Sequence, residues 1–527
     1  MFLSEKHNMV VYQNVEAAQL KAQIASAHVL NATTAALPYD VESMQLARAV
    51  GLEAISPIER DYDWPSAFPQ GPKDHQRAMA AFMTLHPRGF NFSAMRTGKT
   101  MSTAWPAEYL MEEGLVNKCL IICTLSNIER VWDKELYRHF LGRRKAKILY
   151  GSREQRLEAL GDRDADFYII NHDGICVGAT KTPRGLQLGE LALELITRED
   201  INCVIVDEAT AFKLSSTRRW RVLKHIIDKK PYVWLLTGTP TPNAPTDAWA
   251  LRKLLFPTQT ESFNTFRDRT MLRVSQFKWV PKREAPEIVS NFLQPAIRYA
   301  REDCISIPPI TVEQVECELS PVQQKAYDTF KKELSMTVAS GERISAVNEA
   351  VLRTKLLQIS LGAIYGPDKE AHLTDAKPRI DLLLDLLEES DSKILVFAPL
   401  TSVVRLLYRE IKRNGFTVEM VTGDVTSTQR TRIFKAFDAE DDPHVIVADP
   451  GCVAHGLDLS TASTVIWYGP TDKLEIYQQA NARIDGPNQV RKQVAIQIAS
   501  TPIEREIYKR LDEKRTMQGL ILDMVRS

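Results

Sequence analysis

Short apolar runs recur along the chain, each rich in Val, Ile and Leu and each ending in polar or small residues. "KCLIICTL" (118–125), "DFYIINHD" (166–173), "NCVIVDEA" (202–209) and "YVWLLTGT" (232–239) form a first series. "KILVFAPL" (393–400), "TVEMVTGD" (417–424), "HVIVADPG" (444–451), "TVIWYGP" (464–470) and "VAIQIAS" (494–500) form a second. Helical stretches separate them. Near-continuous apolar strands alternating with helices predict an α/β fold whose parallel sheets are covered on both faces. In doubly wound sheets ligands bind beyond the carboxyl ends of the strands. Chemistry is therefore expected where the runs turn polar, at "TLS", "NHD", "DEAT" and "TGTP". The two series predict two lobes, 71–257 and 376–527, joined by a largely helical segment, 258–375, with a Pro-rich interruption at "SIPPITVE" (306–313). Residues 1–70 form an N-terminal extension. Its tail, "DYDWPSAFPQGPK", predicts an ordered but irregular approach without a functional reading of its own.

Length agrees with more than one core, since 527 residues exceed what a single hydrophobic core usually serves. Lys and Arg number 67 and Asp and Glu 67, a formal charge of zero. Any contact with nucleic acid must then come from a local groove rather than from an overall basic surface. The seven cysteines include no C-x-x-C pair, and several sit in apolar runs, which predicts reduced, buried thiols and no zinc site. No uncharged apolar run approaches the ~20 residues of a membrane span. The opening "MFLSEKHNMVVYQ" has no basic segment followed by a long apolar one, so a cytoplasmic protein is expected.

The stretch "NFSAMRTGKT", Asn91 to Thr100, ends like a phosphate-binding loop, with Gly98, Lys99 and Thr100. The usual pattern G-x-x-x-x-G-K-[ST] has glycine where Ser93 stands. An ammonium beside exposed backbone N–H groups at a helix start suits phosphates, and the neighbouring hydroxyl suits Mg²⁺. A plain surface turn ahead of a helix is the alternative. Asp207 and Glu208 follow a predicted strand further along the same lobe. Adjacent carboxylates there can divide the work, Asp207 toward Mg²⁺ and Glu208 toward an attacking water. A solvated strand end is the bland reading of such a pair. Each site supplies what the other lacks.

In their order, the motifs resemble superfamily-two helicases and translocases, most closely the Swi/Snf-type branch of DNA-dependent ATPases. "KDHQRAMAAF" (73–82), "LIICTLSNIERVWDKEL" (120–136), "DEATAFKLSSTRRWRVLK" (207–224) and "LLTGTPTPNAPTDAWALRKLLFP" (235–257) carry it in the first lobe. "ILVFAPL", "VTGDVTSTQRTRIFKAF" (421–437), "ADPGCVAHGLDLSTASTVIWYG" and "YQQANARIDG" carry it in the second. The resemblance implies two RecA-like lobes, ATP with Mg²⁺, and DNA, single- or double-stranded, as the track. It further implies a compact monomer in a bacterial or phage-infected cell, supporting replication, recombination or repair proteins. Gln76, Arg96, Thr97, Gly98, Lys99, Thr100, Gly456 and Asp458 are implied to hold nucleotide, and Thr100 and Asp207 the metal. Lys99, Asp207, Glu208 and Arg483 are implied to be catalytic. Ser126, Asn127, Arg130, Thr237, Thr422 and Gly423 are implied to contact nucleic acid. An RNA-dependent helicase and a binding scaffold with weakened ATPase are the rival readings.

Three departures stand out. The branch usually places glycine where this chain has Arg96, and one glycine suffices only if residues 94–97 avoid positive φ. Motif II ends in Thr210 rather than the more usual histidine. Motif VI usually offers two arginines three places apart, and the chain has Arg483 but then Gly486. Losing such a finger costs about 10³–10⁵ in rate. Arg483 alone, substitution by Arg491 or Arg96, and weak turnover all stay open. Because the first-lobe set is intact, a working enzyme is expected.

Overall fold

All nine apolar runs are strands in the computed structural model, which describes residues 1–182, 185–275, 278–304, 310–339, 346–365, 371–453, 459–486, 489 and 491–526. They divide between a seven-stranded and a six-stranded sheet, and every neighbouring pair in both is parallel. From one edge, the first sheet runs Ala296–Ile297, Arg88–Asn91, Tyr232–Leu236, Ile201–Val206, Lys118–Cys123, Phe167–Asn171 and Ala146–Ile148. The second runs Thr311–Glu316, Val494–Ala499, Ala462–Trp467, Lys393–Phe397, Val445–Ala448 and Val418–Val421.

Period-two alternation decides which core each side chain enters. Leu120, Ile122, Val204, Val206, Val233 and Leu235 point to one face of the first sheet, and Ile121, Cys203, Ile205, Trp234 and Leu236 to the other. The second sheet sorts Leu395, Phe397 and Ile446 from Ile394, Val396 and Val445 in the same way. Both faces are buried, which is why these strands read as unbroken apolar runs. All seven cysteines are free, and Cys119, Cys123, Cys176 and Cys203 are buried in the first lobe.

The segment 258–375 is more than a connector. Phe266, Val289, Leu293 and Ala296 lie in the first lobe's core. Ala296–Ile297 pairs beside Arg88–Asn91, whereas Thr311–Glu316 forms the edge of the second sheet. The chain therefore leaves the first sheet after Ile297 and joins the second at Thr311. Helices Pro321–Ala339 and Ala346–Ser360 belong to the second-lobe side, where Tyr327, Leu356 and Ile359 cluster with Ile503. Residues 1–56 hold a unit of their own, an antiparallel four-stranded sheet with two helices packed around Val10, Tyr12, Leu37 and Met44. The aromatic tail that follows packs tightly: Tyr62, Trp64, Trp105 and Tyr109 meet edge-to-face at 5.3–5.8 Å.

A candidate nucleotide site between the lobes

Strand Arg88–Asn91 feeds the loop 92–98, and helix Lys99–Glu112 begins directly after it. Gly98 has φ +84° and Arg96 has φ +63°. The condition set for a one-glycine loop, that residues 94–97 avoid positive φ, is not met. The loop has two left-handed positions, as a chain turning successive N–H groups to one side requires, and arginine occupies one at a steric cost of about 1–2 kcal/mol. A Cβ at Gly98 would also lie 2.0 Å from Nε2 of Gln76, whose side-chain end would have to move aside. His75 pins the loop from below, with Nε2 3.0 Å from the carbonyl oxygen of Thr97. Burial lowers the His75 pKa.

Lys99 folds inward. Its ammonium donates to the carbonyl oxygens of Ser93 (2.7 Å) and Ala94 (2.8 Å). Burial lowers its pKa against the pull of Glu208 and Asp207. Strand Tyr232–Leu236 separates the loop strand from Ile201–Val206, so the carboxylates at the end of the latter face the loop across one strand width. Asp207 is held firmly. Its Oδ2 accepts from Trp132 Nε1 (3.0 Å) and Asn127 Nδ2 (3.3 Å), and Oδ1 accepts from the Glu208 N–H (3.0 Å). His172 Nε2 lies 2.8 Å from the Asp207 carbonyl oxygen. Burial and the Asp207 charge push the Glu208 carboxyl up to about 8, against the opposing pull of Lys99 and Arg483.

These groups share one cavity of about 540 Å³. Gln76, Arg96, Thr97, Gly98, Lys99, Thr100, Asp207 and Glu208 line it from the first lobe, and Ala482 and Arg483 from the second. Arg491 is exposed and is not among the lining residues. Gly456 and Asp458 lie outside the described residues. Phe68, Trp105, Glu135 and His139 complete the wall. Sequence reasoning passed over Phe68, whose ring meets His139 at 5.4 Å. Its only signal is its place in the aromatic, Pro-rich approach. Trp132 is fully buried in the first lobe's core. Its hold on Asp207 was foreseeable only from the rule that a buried indole N–H finds an acceptor.

The six residues expected on nucleic acid do not form one surface. Asn127 and Arg130 line the nucleotide cavity, and Arg130 bonds Thr431 of the second lobe. Thr237 is a correction: it is 1% exposed and its hydroxyl meets that of Thr210 at 2.8 Å, so it is closed to a polyanion. That contact gives Thr210 a role, joining the Asp-Glu turn to the end of the next strand. Thr422 is likewise corrected. It is 2% exposed, so its hydroxyl is closed to a polyanion as well. Ser126 is half-buried and Gly423 exposed.

Among the described residues no cluster of three or more His, Cys, Asp or Glu forms a metal cage. Mg²⁺ does not need one, because it binds through one or two carboxylates together with substrate phosphates. The residues fit that demand. Asp207 is oriented, Thr100 offers a hydroxyl, and the buried Asn127 Oδ1 has no hydrogen-bond partner beside them.

Fold and site define the class of two-lobed, superfamily-two helicase-like ATPases. A model of the SNF2-related domain matches residues 75–361 and one of the helicase conserved C-terminal domain matches 378–485; the chain belongs to the SNF2-related family. It is 24% identical over 482 residues to the ISWI chromatin-remodeling complex ATPase CHR11 of Arabidopsis thaliana, covering 88% of this chain and 44% of that one. It is also 24% identical to putative protein p41 of Acyrthosiphon pisum secondary endosymbiont phage 1, covering 86% of this chain and 98% of the phage protein. The chain thus spans less than half the length of the plant relative and nearly all of the phage one. The Sulfolobus solfataricus SWI2/SNF2 ATPase core in complex with dsDNA is similar at 20% identity, over 88% of this chain and 95% of that one, with a TM-score of 0.38. No helix among the described residues is long and apolar enough to cross a membrane.

Proposed function

We propose that the protein is an ATP-driven motor that moves along DNA. The observation that carries this reading is the single inter-lobe cavity in which Lys99, Asp207 and Glu208 meet Arg483. Lys99 exchanges the carbonyls of Ser93 and Ala94 for the β- and γ-phosphates, which are stronger acceptors. The left-handed turns at Arg96 and Gly98 aim backbone N–H groups at the same phosphates. Asp207 and Thr100 would hold Mg²⁺, which would supply positive charge against the charge developing on the transferred phosphoryl group. Glu208 takes a proton from the attacking water in its ionised form, and burial and the Asp207 charge, which raise its pKa, make that carboxylate a stronger base. Arg483 approaches the terminal phosphate from the other lobe, so hydrolysis depends on how the lobes sit.

Lobe closure driven by nucleotide then advances the protein along the phosphate backbone, without sequence preference and with affinity that falls as salt rises. Family membership supports DNA as the track, likeness to a phage protein over nearly its whole length is in keeping with a phage or bacterial setting, and service in replication or recombination is part of the same proposal. The test is ATP turnover with duplex DNA, single-stranded DNA and RNA, alongside Lys99→Ala. Stimulation by DNA of about tenfold or more, lost by about 10²-fold in the variant, is expected. Stimulation by RNA alone would make it an RNA-dependent helicase. Equal rates for wild type and Lys99→Ala would leave a binding scaffold.

A further inference from the structure

Arg96 is an unusual occupant of its position. Its φ of +63° is a conformation that favours glycine, yet the side chain is long and charged. It leaves the phosphate loop and crosses to the second lobe. Its Nε donates to the Ala482 carbonyl (3.2 Å), and an Nη donates to the Arg483 carbonyl (3.4 Å). Those carbonyls follow the end of helix Leu474–Asn481, on the turn that carries Arg483 into the cavity. The far side of the turn is gripped as well, because the buried Asp485 pairs with Arg301. Two arginines from the first-lobe side thus clasp one short second-lobe turn.

The two clasps differ in kind. Arg301 holds a carboxylate, a durable partner. Arg96 bonds two main-chain carbonyls, with the Asp485 charge near enough to be felt, and it does so from the rim of a cavity it shares with Lys99 and Glu208. A guanidinium–phosphate pair sets an ionised donor against an ionised acceptor and is frequently bidentate, whereas a bond to a main-chain carbonyl carries charge on the donor side only. A terminal phosphate entering the cavity outcompetes the carbonyls, whereas a diphosphate leaves them the better partner within reach.

We propose that Arg96 is a latch that reads the nucleotide state. It ties the phosphate loop to the Ala482–Arg483 turn when the site holds no terminal phosphate, and it transfers to that phosphate when a triphosphate binds. The transfer frees the turn that carries Arg483, and it brings a second guanidinium to the phosphate from within the loop itself. The proposal rests on the reading of the cavity as an ATP site.

The experiment compares wild type with Arg96→Gly, which suits the left-handed backbone, and Arg96→Lys, which keeps charge but loses the fork. Dissociation constants for ADP and for a non-hydrolysable ATP analogue are measured by calorimetry, and turnover with ATP and DNA is measured separately. Arg96→Gly is expected to lower the preference for triphosphate over diphosphate by about tenfold or more and to cut turnover by about 10²-fold or more. Its ADP affinity should stay within about threefold, and Arg96→Lys should recover part of the preference. Wild-type preference and turnover in Arg96→Gly would overturn the latch while leaving the ATP site intact. Equal losses for both nucleotides would overturn it too, as a purely structural role. A wild type that neither binds the analogue nor turns over ATP would instead bring down the reading of the cavity.

Discussion

Glu208 is held in two unfavourable circumstances. Its φ is +49°, a conformation that non-glycine residues rarely adopt, and its carboxyl sits against that of Asp207 with a pKa near 8. The folded value lies above the ordinary value of 4.5, so the fold favours the protonated form. The stability this contributes is complete below about pH 4.5 and is lost as pH rises through 8. Gln resembles the neutral acid at every pH. Between pH 5 and pH 9, urea unfolding should therefore show the difference between Glu208→Gln and wild type moving in the variant's favour by on the order of 3 kcal/mol. A gap that is constant with pH, or that moves the other way, would mean the carboxyl is not held neutral. Lys99, Asp207, Glu208 and Arg483 were legible because their chemistry depends on residue type and order along the chain. The conformation of Arg96 was not, since counting glycines predicts one left-handed position and the loop has two. What holds arginine there lies 386 residues further along the chain, beyond the reach of any local pattern.

At the scale of elements, the turn after strand Lys118–Cys123 matters most. Residues Ile128–Asp133 form a π-helical turn, a wider winding that often marks functional positions. With Asn127 just before it, this turn brings Asn127, Arg130 and Val131 to the cavity wall while Trp132 reaches Asp207. The resemblance to motif Ia assigned Asn127 and Arg130 to nucleic acid; spacing cannot reveal the extra residue per turn that redirects them. Trp132→Phe keeps most of the packing and removes one donor. It should cost about 1 kcal/mol in stability and lower the ATP turnover rate about tenfold, with little change in KM, because Asp207 loses its aim rather than its charge. An unchanged turnover rate would show that Asn127 and the Glu208 N–H position the carboxylate without help. Strands followed the same logic of reach. The nine long apolar runs were legible, but Arg88–Asn91, Ala146–Ile148, Ala296–Ile297 and Thr311–Glu316 were not. Those four are short or polar, and partners distant in sequence make them strands.

For the whole molecule, the proposed catalysis by groups from both lobes requires the lobes to stay within reach of each other. Helix Pro502–Arg526, roughly 37 Å long, meets that need. Tyr508 and Leu511 pack in the second lobe's core, while Ile521 and Leu522 pack in the first lobe's. Gln518 reaches the Gly238 carbonyl between them (3.3 Å), and Arg298 pairs with Asp523 beyond (2.6 Å). Nothing local in "PIEREIYKRLDEKRTMQGLILDMVR" says that the two ends of this helix serve different cores. Which contact fastens the strut follows from magnitudes. Asp523 is two-thirds exposed, and an exposed ion pair contributes about 0–1 kcal/mol. Ile521 is fully buried, and its truncation to alanine costs about 2–5 kcal/mol where the cavity cannot collapse. Asp523→Ala should therefore leave unfolding midpoint and DNA-stimulated turnover nearly unchanged. Ile521→Ala should lower both, turnover more than ATP affinity, because Arg483 and the first-lobe carboxylates then meet less often. Small-angle scattering of the nucleotide-free variant should show a larger radius of gyration than wild type. If Asp523→Ala proved the more damaging of the two, the lobes would be joined by charge at the surface, and high salt alone would uncouple turnover from DNA.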